Sequence, residues 1–332
     1  MRNFQKIEDK KEWQELLNKT LFRTFFHNLE WEEFLEKNFK WLKFERYLYK
    51  RDLLLSFARY RIFGSEHIVS HPFCEYGGPL PLKEKIDFLE FKKDLLREFR
   101  VPLKISFHPK LLPFFINIYS ELGGRRETFF FEDLDKRRVE EIWRLLDRNR
   151  HRAIKKAKGY NFQIEECQSE KELRKVYKFY VENLKKHRAL VYPFSFFKFF
   201  FQNKNSKILL VKKNSHNFGG NIFLFYQNIC HSFLCGFNEK YKKWGIHSFL
   251  LWKMIEKAHS EGCSIFDFGG TRKDSSIREF KQRWGAKVFP IFELKNYSEE
   301  IKLKDSFLRK IWGCLPTHLI KIFSPYFLKY KL

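Results

Sequence analysis

The chain has 332 residues, which is enough for two domains, and its 44% hydrophobic and 19% aromatic content excludes an intrinsically disordered protein. Its formal net charge of +25 exceeds what solubility requires. We therefore expect a polyanionic partner, such as nucleic acid, anionic lipid or nucleotide phosphates.

The cysteines and the N-terminus bear on metal binding and location. None of the six cysteines forms a CxxC pair, and no cysteine–histidine spacing is typical of a zinc site, so we predict no bound metal and a reducing compartment. The N-terminal segment is charged throughout and lacks the apolar core of a signal peptide. No apolar run reaches the roughly 18 residues of a spanning helix. These features predict a cytoplasmic protein.

The first part of the chain alternates predicted helices and strands. The patterns indicate two short helices within 11–40, strands within 44–63, an amphipathic helix over 83–99, a strand over 101–108 and a further strand within 123–133. This mixture predicts an N-terminal domain over 1–150 with both helices and strands. Within it, the tripeptide Tyr76-Gly77-Gly78 precedes a proline and predicts a sharp turn or a close backbone approach.

A very basic helix is predicted over 136–158, and Gly159 ends it. Arginine and lysine recur along one side of this helix at helical spacing, at positions Arg144, Arg148, Arg152 and Lys155. Such a row of cations fits contact with the phosphates of a polyanion, although a solvated helix face is the alternative.

The second half repeats the mixture and predicts a C-terminal domain over 151–298. A strand at 162–167 precedes a helix over 169–188, where Ser169 and Glu172 have capping-box spacing. Three strands, a helix over 246–260, another strand, and a final helix and strand follow. The remaining 299–332 segment is an amphipathic basic tail that Pro316 divides into two helices. This tail lies either on an anionic membrane or back on the first domain.

A basic, glycine-containing loop connects a strand to the helix over 246–260. The loop contains Lys242, Lys243 and Gly245, and free N–H groups at a helix N-terminus can bind phosphate. The order of strand, loop, helix and strand is that of the cofactor site in acetyltransferase folds. The loop resembles the phosphate loop of GNAT enzymes, with Lys242 at the basic position and Gly245 at the first glycine. His247 replaces the last small residue, which argues against acetyl-CoA.

The segment 266–290, FDFGGTRKDSSIREFKQRWGAKVFP, resembles the signature of the FemAB family, which modifies peptidoglycan. In that signature a strand ends in Asp-Phe-Gly and a later helix carries Phe-Lys-x-x-Trp-Gly. The Tyr-Gly-Gly turn at 76–78 resembles a segment of the family's first domain, and the arginine-rich 148–157 segment resembles its interdomain helix. The three motifs occur in the family's order.

The resemblance implies an α+β (mixed α/β) fold of two tandem GNAT-like domains, in which helices flank mixed sheets. It also implies acyl transfer to an amine. FemAB enzymes take the group from aminoacyl-tRNA and pass it to a peptidoglycan precursor, whereas other relatives use acyl-CoA on envelope polysaccharides. We therefore expect either donor as a co-substrate, no permanently bound cofactor, and a nucleotide- or lipid-linked envelope precursor as acceptor. The other candidate partners are tRNA and the inner face of the membrane.

The resemblance also implies site residues. Lys281 aligns with the family lysine at the transfer site, so we expect it to stabilise an oxyanion or a substrate phosphate. Asp267, at a strand end, either orients the amine and accepts its proton or caps the following loop. Candidates for substrate or phosphate binding are charged or backbone-exposing residues, namely Arg272, Lys273, Lys242, Lys243, Gly245, Tyr76, Gly77, Gly78, Arg148, Arg152 and Lys155.

Three functions remain open from the sequence. Transfer from aminoacyl-tRNA is favoured by the positive charge and the poor acetyl-CoA loop. Transfer from acyl-CoA to an envelope sugar or polysaccharide stays open because the long coiled-coil insertion of FemA-type enzymes is missing from the sequence pattern. A non-catalytic RNA- or membrane-binding scaffold is the third hypothesis, and the presence of Lys281 and Asp267 argues against it.

Overall fold

A computed structural model describes residues 3–118, 126–297 and 312–332. It divides into two compact units. Unit 1 comprises Met1–Glu127, Phe289–Ile301 and Lys329–Leu332, whereas unit 2 comprises Thr128–Val288 and Lys302–Leu328.

The elements of the first part, in chain order, are β1 (Phe4–Ile7), α1 (Lys10–Asn18), α2 (Leu29–Asn38), β2 (Lys43–Tyr49), β3 (Leu53–Ile62), β4 (Ser65–Ser70), β5 (Leu80–Pro81), β6 (Ile86–Asp87), α3 (Phe88–Glu98), β7 (Leu103–Phe107), β8 (Phe115–Ile116) and β9 (Arg126–Phe131). The later elements are α4 (Val139–Leu145), α5 (Arg148–Gly159), β10 (Gln163–Glu166), α6 (Glu170–Lys186), α7 (Phe194–Gln202), β11 (Ser206–Lys213), β12 (His216–Tyr226), β13 (Ile229–Phe237), α8 (Ile246–Ser260), β14 (Ile265–Arg272), α9 (Ser276–Gln282), β15 (Lys287–Pro290), β16 (Phe292–Lys295) and α10 (Thr317–Phe327).

Unit 1 is built on a mixed sheet with the strand order β1-β2-β3-β4-β7-β16, and β5 pairs with β3. The pair β4–β7 is parallel, while the other neighbours are antiparallel. Helix α3 begins at Phe88, because the side chain of Asp87 caps it by accepting from the N–H of Glu90 at 2.9 Å. Large aromatic side chains, among them Trp13, Trp31 and Phe88, are fully buried in this unit.

Unit 2 contains a second mixed sheet with the order β10-β11-β12-β13-β14-β9-β15. Strands β10 to β13 are antiparallel to one another, whereas β13 and β14 are parallel and are connected through α8. Helix α6 begins with the predicted cap, in which Ser169 accepts from the N–H of Glu172 at 3.3 Å. Helix α8 spans the residues predicted from its apolar pattern, and Trp284 fills the core beside it.

The observed units differ from the predicted division at residues 150 and 298. The first boundary falls after Glu127 because β9 belongs to the second sheet. The chain returns to unit 1 before the tail, because β16 pairs with β7 in the register Phe292↔Phe107. Pairing between strands so distant in sequence leaves no local signal, so composition could not predict these boundaries.

The basic helix predicted over 136–158 is two helices, α4 and α5. Asp147 separates them, because its carboxylate caps α5 by accepting from the N–H of Asn149 at 2.6 Å, while its own N–H donates to the carbonyl of Arg283 at 2.9 Å. Arg144 therefore does not continue the row of cations on α5. Helix α7 was not predicted, since six of its nine residues are phenylalanines and its polar side consists only of Ser195, Lys198 and Gln202.

The first of the two tail helices expected before Pro316 lies almost wholly outside the described residues. The second is α10, which packs against α6 within unit 2, while the last tail residues, Lys329–Leu332, belong to unit 1 and accept a hydrogen bond from Lys104 at 3.2 Å. Ile320 of α10 is fully buried, and the Ser324 hydroxyl accepts from the N–H of Val191 at 3.1 Å. Within the described ranges, no helix combines the length and the apolar character that crossing a bilayer requires.

We predict that Gly236→Ala destabilises the protein by about 1–3 kcal/mol, because β13 touches the backbone of α6 at this position. A Cβ at Gly236 would lie 2.4 Å from the nitrogen of Tyr180 and 2.5 Å from the carbonyl oxygen of Val176. Urea unfolding measures the loss. Gly159→Ala is the matched control, since no atom lies within 4 Å of its added Cβ, and it should leave the stability unchanged or slightly raised. Equal stabilities for the two variants would contradict this packing.

Candidate functional site

The backbone of β14 is held at Gly269 and Gly270 by one acidic and one basic side chain of the 266–290 segment. Asp267 is fully buried, and its Oδ1 accepts from the N–H of Gly269 at 2.7 Å and from the hydroxyl of Thr128 at 2.8 Å. Lys281 of α9 is 8% exposed, and its ammonium donates to the carbonyl oxygens of Gly269 at 2.6 Å and Gly270 at 3.1 Å. Both side chains therefore fix the same backbone segment, which has a left-handed φ of +77° at Gly269.

This geometry fits neither of the two roles expected for Asp267. Its carboxylate reaches no solvent, and its Oδ2 lies 4.0 Å from Nε2 of the buried His231. An amine substrate cannot contact a carboxylate in this position. The bond to the N–H of Gly269 lies inside β14, so Asp267 is neither at a strand end, as the sequence suggested, nor the cap of a loop. Its buried carboxylate positions the backbone of the strand.

The loop before α8 is positioned by helix packing. A short 3-10 helix, Glu239–Trp244, leads to Gly245, whose φ is +77°. A Cβ at Gly245 would lie 2.0 Å from the carbonyl oxygen of Ala153, so only glycine allows α5 to lie against this loop. The N-terminus of α8 has no side-chain cap. Lys242 forms an ion pair with Glu239, and Lys243 is exposed.

His247, in the first turn of α8, is half-buried, and its imidazole interacts electrostatically with three basic side chains. Its ring stacks on Phe280 of α9 with centroids 5.0 Å apart and also contacts Phe237 at 4.6 Å. Burial, together with the charges of Lys242, Arg150 and Lys281, lowers the pKa of His247 to about 3. The imidazole is therefore neutral near pH 7. We call Arg150, Lys242 and Lys281 the cationic cluster.

Arg150 connects α5 to this cluster. Its guanidinium lies 4.6 Å from the ring centroid of Phe280 and donates to the hydroxyl of Ser248 at 2.8 Å. Burial raises the pKa of the nearby Cys235 thiol, although Lys242 and Lys281 oppose this shift, so Cys235 is not a ready nucleophile near neutral pH. Arg150 and Lys281 thus offer positive charge at fixed positions, whereas Lys242 is exposed and paired with Glu239. Fixed positive charge without an activated nucleophile suits binding of an anion or of a developing negative charge.

The remaining predicted residues of unit 2 lie on the surface. Arg272 donates from two of its guanidinium nitrogens, Nε and Nη2, to the carboxylate of Asp274, each at 3.2 Å, and Lys273 is exposed. Arg148, Arg152 and Lys155 form an exposed row on α5, and none of the three forms an ion pair with a described residue. Their roles in phosphate binding stay predictions.

The Tyr76-Gly77-Gly78 segment lies in unit 1 and is packed tightly against the protein itself. The Tyr76 side chain is fully buried and contacts the ring of His108 at 4.4 Å. A Cβ at Gly77 would lie 2.8 Å from the Cβ of His71. The close backbone approach that the sequence predicted is therefore present, but its partner in this structure is the protein's own chain rather than a substrate.

Sequence reasoning missed two residues of the site. Arg150 lies in the arginine-rich segment but off the row formed by Arg148 and Arg152, because a step of two residues turns a helix by about 200°. The sequence gave His247 no base role because no partner lies near it in the chain, whereas the fold stacks it on Phe280. The Phe-Lys pair of the signature was the available signal, since both of its members contact or face this histidine.

The comparisons with known proteins agree with this description. Residues 144–282, which include Arg150, Lys242, His247 and Lys281, match the family model of an acetyltransferase (GNAT) domain. No curated protein matches the sequence. Among the described residues, no group of three histidine, cysteine, aspartate or glutamate side chains is placed to hold a metal ion.

Three solved structures illustrate the shared fold. FemX has a TM-score of 0.64 at 11% identity, covering 88% of this chain and 96% of FemX. L-PGS from Bacillus licheniformis has a TM-score of 0.54 at 13% identity, covering 94% of this chain and 97% of that one. A tandem GNAT protein from the clavulanic acid biosynthesis pathway has a TM-score of 0.50 at 8% identity, covering 90% and 99%. The predicted tandem GNAT-like fold is confirmed.

The low pKa of His247 predicts how acid affects stability. The unfolded chain binds a proton at this histidine below its ordinary pKa of 6.5, but the folded protein does not until about pH 3, so acidification between these values favours unfolding. His247→Gln should therefore reduce the loss of unfolding free energy by up to about 1.4 kcal/mol per pH unit in this range. Urea titrations at successive pH values measure both slopes. Parallel slopes in the variant and the wild type would show that the imidazole is not held neutral.

Proposed function

We propose that this chain, whose residues 144–282 form a GNAT-type acetyltransferase domain, is an acyltransferase that moves an aminoacyl or acyl group onto an amine of a cell-envelope precursor. The observation that carries the proposal is the cationic cluster beside the N-terminus of α8. Both candidate donors carry phosphate groups, and aminolysis of either develops negative charge on the reacting carbonyl oxygen. The resemblance of the 266–290 segment to the FemAB signature supports the same reaction.

The chemistry assigns distinct tasks to the residues. The nitrogen of the acceptor amine attacks the carbonyl carbon, forming a C–N bond and a tetrahedral oxyanion. Collapse of this intermediate breaks the bond to the tRNA ribose oxygen or to the CoA sulfur, and the proton from the amine ends on that leaving group. Lys281 supplies positive charge to the oxyanion, and its position is fixed by the carbonyls of Gly269 and Gly270, so little reorganisation is needed during the reaction. His247 is too weak a base to take the proton near pH 7.

Aminoacyl-tRNA is the donor that the surface charge favours. Arg148, Arg152 and Lys155 present an exposed row of cations on α5, the helix that carries the cluster residue Arg150 on its other side, and the net charge is +25. His247 also occupies the position of the small residue in the GNAT phosphate loop. With this donor, the acceptor that we propose is a nucleotide- or lipid-linked envelope precursor. The cytoplasmic location of the protein stays a prediction.

Acyl-CoA is the second candidate donor, because the matching family model describes an acetyltransferase domain. The acceptor would then be an amine of an envelope sugar or polysaccharide. A scaffold that binds RNA or membranes without catalysis would need no fixed cationic cluster, and the experiment below distinguishes it from both enzymes.

We predict that Lys281→Met lowers the transfer rate at least about 100-fold, because it removes the fixed positive charge. Labelled aminoacyl-tRNA and labelled acyl-CoA are offered separately with an amine acceptor, and product formation identifies the donor. Lys257→Met, at an exposed end of α8, is the matched control and should retain activity. Since Lys281→Met also deprives two buried carbonyls of a donor, a loss of about 1–3 kcal/mol is expected, and urea unfolding confirms that the assayed variant is folded.

Two results would overturn the assignment. A folded Lys281→Met protein with wild-type transfer would remove Lys281 from the reaction. Transfer by the wild type from neither donor, together with RNA binding, would favour the scaffold.

We predict that the triple variant Arg148→Ser, Arg152→Ser, Lys155→Ser raises the KM for aminoacyl-tRNA about tenfold. The variant should also reduce the slope of log KM against log salt by roughly two to three, as three phosphate contacts are lost. Replacing three exposed lysines of α6, Lys171, Lys175 and Lys178, by serine changes the net charge equally and is the control. If both triple variants change KM to the same extent, general charge rather than the α5 row attracts the tRNA.

A further inference from the structure

Helix α10 presents an apolar face to solvent. Lys321 is the only charged residue of the helix, and Ile320 and Ser324 are buried against unit 2. Three apolar residues have exposed fractions of 55% for Ile322, 43% for Phe323 and 69% for Tyr326. At about 100° per residue they lie on the side of the helix away from the buried pair, whereas Phe327, which is 45% exposed, lies nearer that pair, and its ring centroid is 5.8 Å from that of Trp312. If α10 served only to pack Ile320 and Ser324 against unit 2, its solvent-exposed side would carry polar residues. The exposed apolar side chains therefore indicate a function other than stability.

A basic cleft lies beside the start of α10. The cleft has a volume of about 520 Å³, and its lining includes Lys185, Lys186 and Arg188 from the C-terminal end of α6 and the residues that follow it. Glu182 contributes the one negative charge in this lining, and Thr317 of α10 forms part of the wall. Lys186 is paired with Glu239 at 3.0 Å, whereas Lys185 and Arg188 form no ion pair with a described residue. Exposed apolar side chains and unpaired positive charge therefore occur on the same part of unit 2.

We propose that α10 and this cleft form a docking surface for a bilayer that contains anionic phospholipids. Phe323, Tyr326 and their apolar neighbours would enter the interfacial layer, while Lys185 and Arg188 contact lipid phosphates. The combination of an apolar helix face with adjacent cations matches the chemistry of a lipid surface, which provides acyl chains and phosphate together.

Charge decides between this partner and a second copy of the chain. Two copies that joined through α10 would bring two equally basic clefts together, each on a protein of net charge +25, and like charges oppose that association. RNA would satisfy the cations, and its bases could stack on the aromatic rings, but it has no apolar layer to receive the aliphatic side chain of Ile322. The anionic bilayer is the partner that satisfies both observations, and this inference does not depend on the acyl-transfer proposal.

The test is co-sedimentation of the full-length protein with vesicles of phosphatidylcholine alone and with vesicles that also contain phosphatidylglycerol. We expect binding to the anionic vesicles, and at least a roughly tenfold lower partition coefficient for Phe323→Ser/Tyr326→Ser. The control Leu21→Ser/Leu89→Ser removes side chains that are 43% and 44% exposed in unit 1, and it should bind as the wild type does.

A second pair of variants tests the cleft. Lys185→Ser/Arg188→Asn should abolish most of the preference for phosphatidylglycerol, whereas Lys171→Ser/Lys175→Ser, an equal charge change elsewhere on α6, should retain it. If the α10 substitutions leave vesicle binding unchanged, general charge accounts for the binding and the proposal is overturned. Absence of binding by the wild type would overturn it as well. Sedimentation velocity supplies a further outcome: a wild-type dimer that Phe323→Ser/Tyr326→Ser converts to a monomer would show that a second copy covers this face.

Discussion

The constraint on which the site in unit 2 depends is the fixing of the backbone at Gly269 and Gly270 by two buried ionisable side chains. Asp267 accepts the N–H of Gly269, and Lys281 donates to the carbonyls of both glycines. Because buried polar groups without partners destabilise a fold by about 1–3 kcal/mol each, replacing either side chain would destabilise the backbone of β14 at these glycines. The same bonds attach α9 to the sheet, so Phe280, next to Lys281, is also placed. The position of α9 therefore follows from hydrogen bonds within its own signature segment.

The residues of the cationic cluster are brought near α9 by the packing of aromatic rings rather than by ion pairs with one another. The ring of Phe280 stacks with the ring of His247 from α8 and also contacts the guanidinium of Arg150 from α5. These two contacts hold α8 and α5 against α9. Gly245 allows the close approach of α5 that this arrangement needs. Like charges held near one another raise the free energy of the empty site. Burial is the main cause of the low pKa of His247, and the charges of Lys242, Arg150 and Lys281 lower this pKa further. An anionic ligand relieves the repulsion, so part of its binding free energy is built into the fold.

The sequence predicted those parts of the fold that have local signals. Helix α8 was located because an apolar pattern follows a glycine, and α6 because Ser169 and Glu172 mark its start. The break at Asp147 was missed, since the carbonyl of Arg283 that holds its N–H is distant in sequence. The unit boundaries were missed for the same reason, as they depend on the pairing of β16 with β7 and of β9 with the second sheet. In the site, the signature located Lys281, but no pattern along the chain reveals that His247 stacks on Phe280.

The same stacking bears on the choice of donor. A GNAT phosphate loop binds a diphosphate closely because small residues leave the first N–H groups of the helix accessible. In this chain the corresponding position is His247, whose ring lies between Phe237 and Phe280 and fills space beside the first turn of α8. A neutral imidazole there adds no charge of its own, so the attraction for an anion comes from Arg150, Lys242 and Lys281 and from the exposed face of α5. Positive charge spread over a helix face suits a polyanion that spans many ångströms better than a compact diphosphate. This difference in extent, more than total charge, is why we propose tRNA rather than coenzyme A as the carrier of the group.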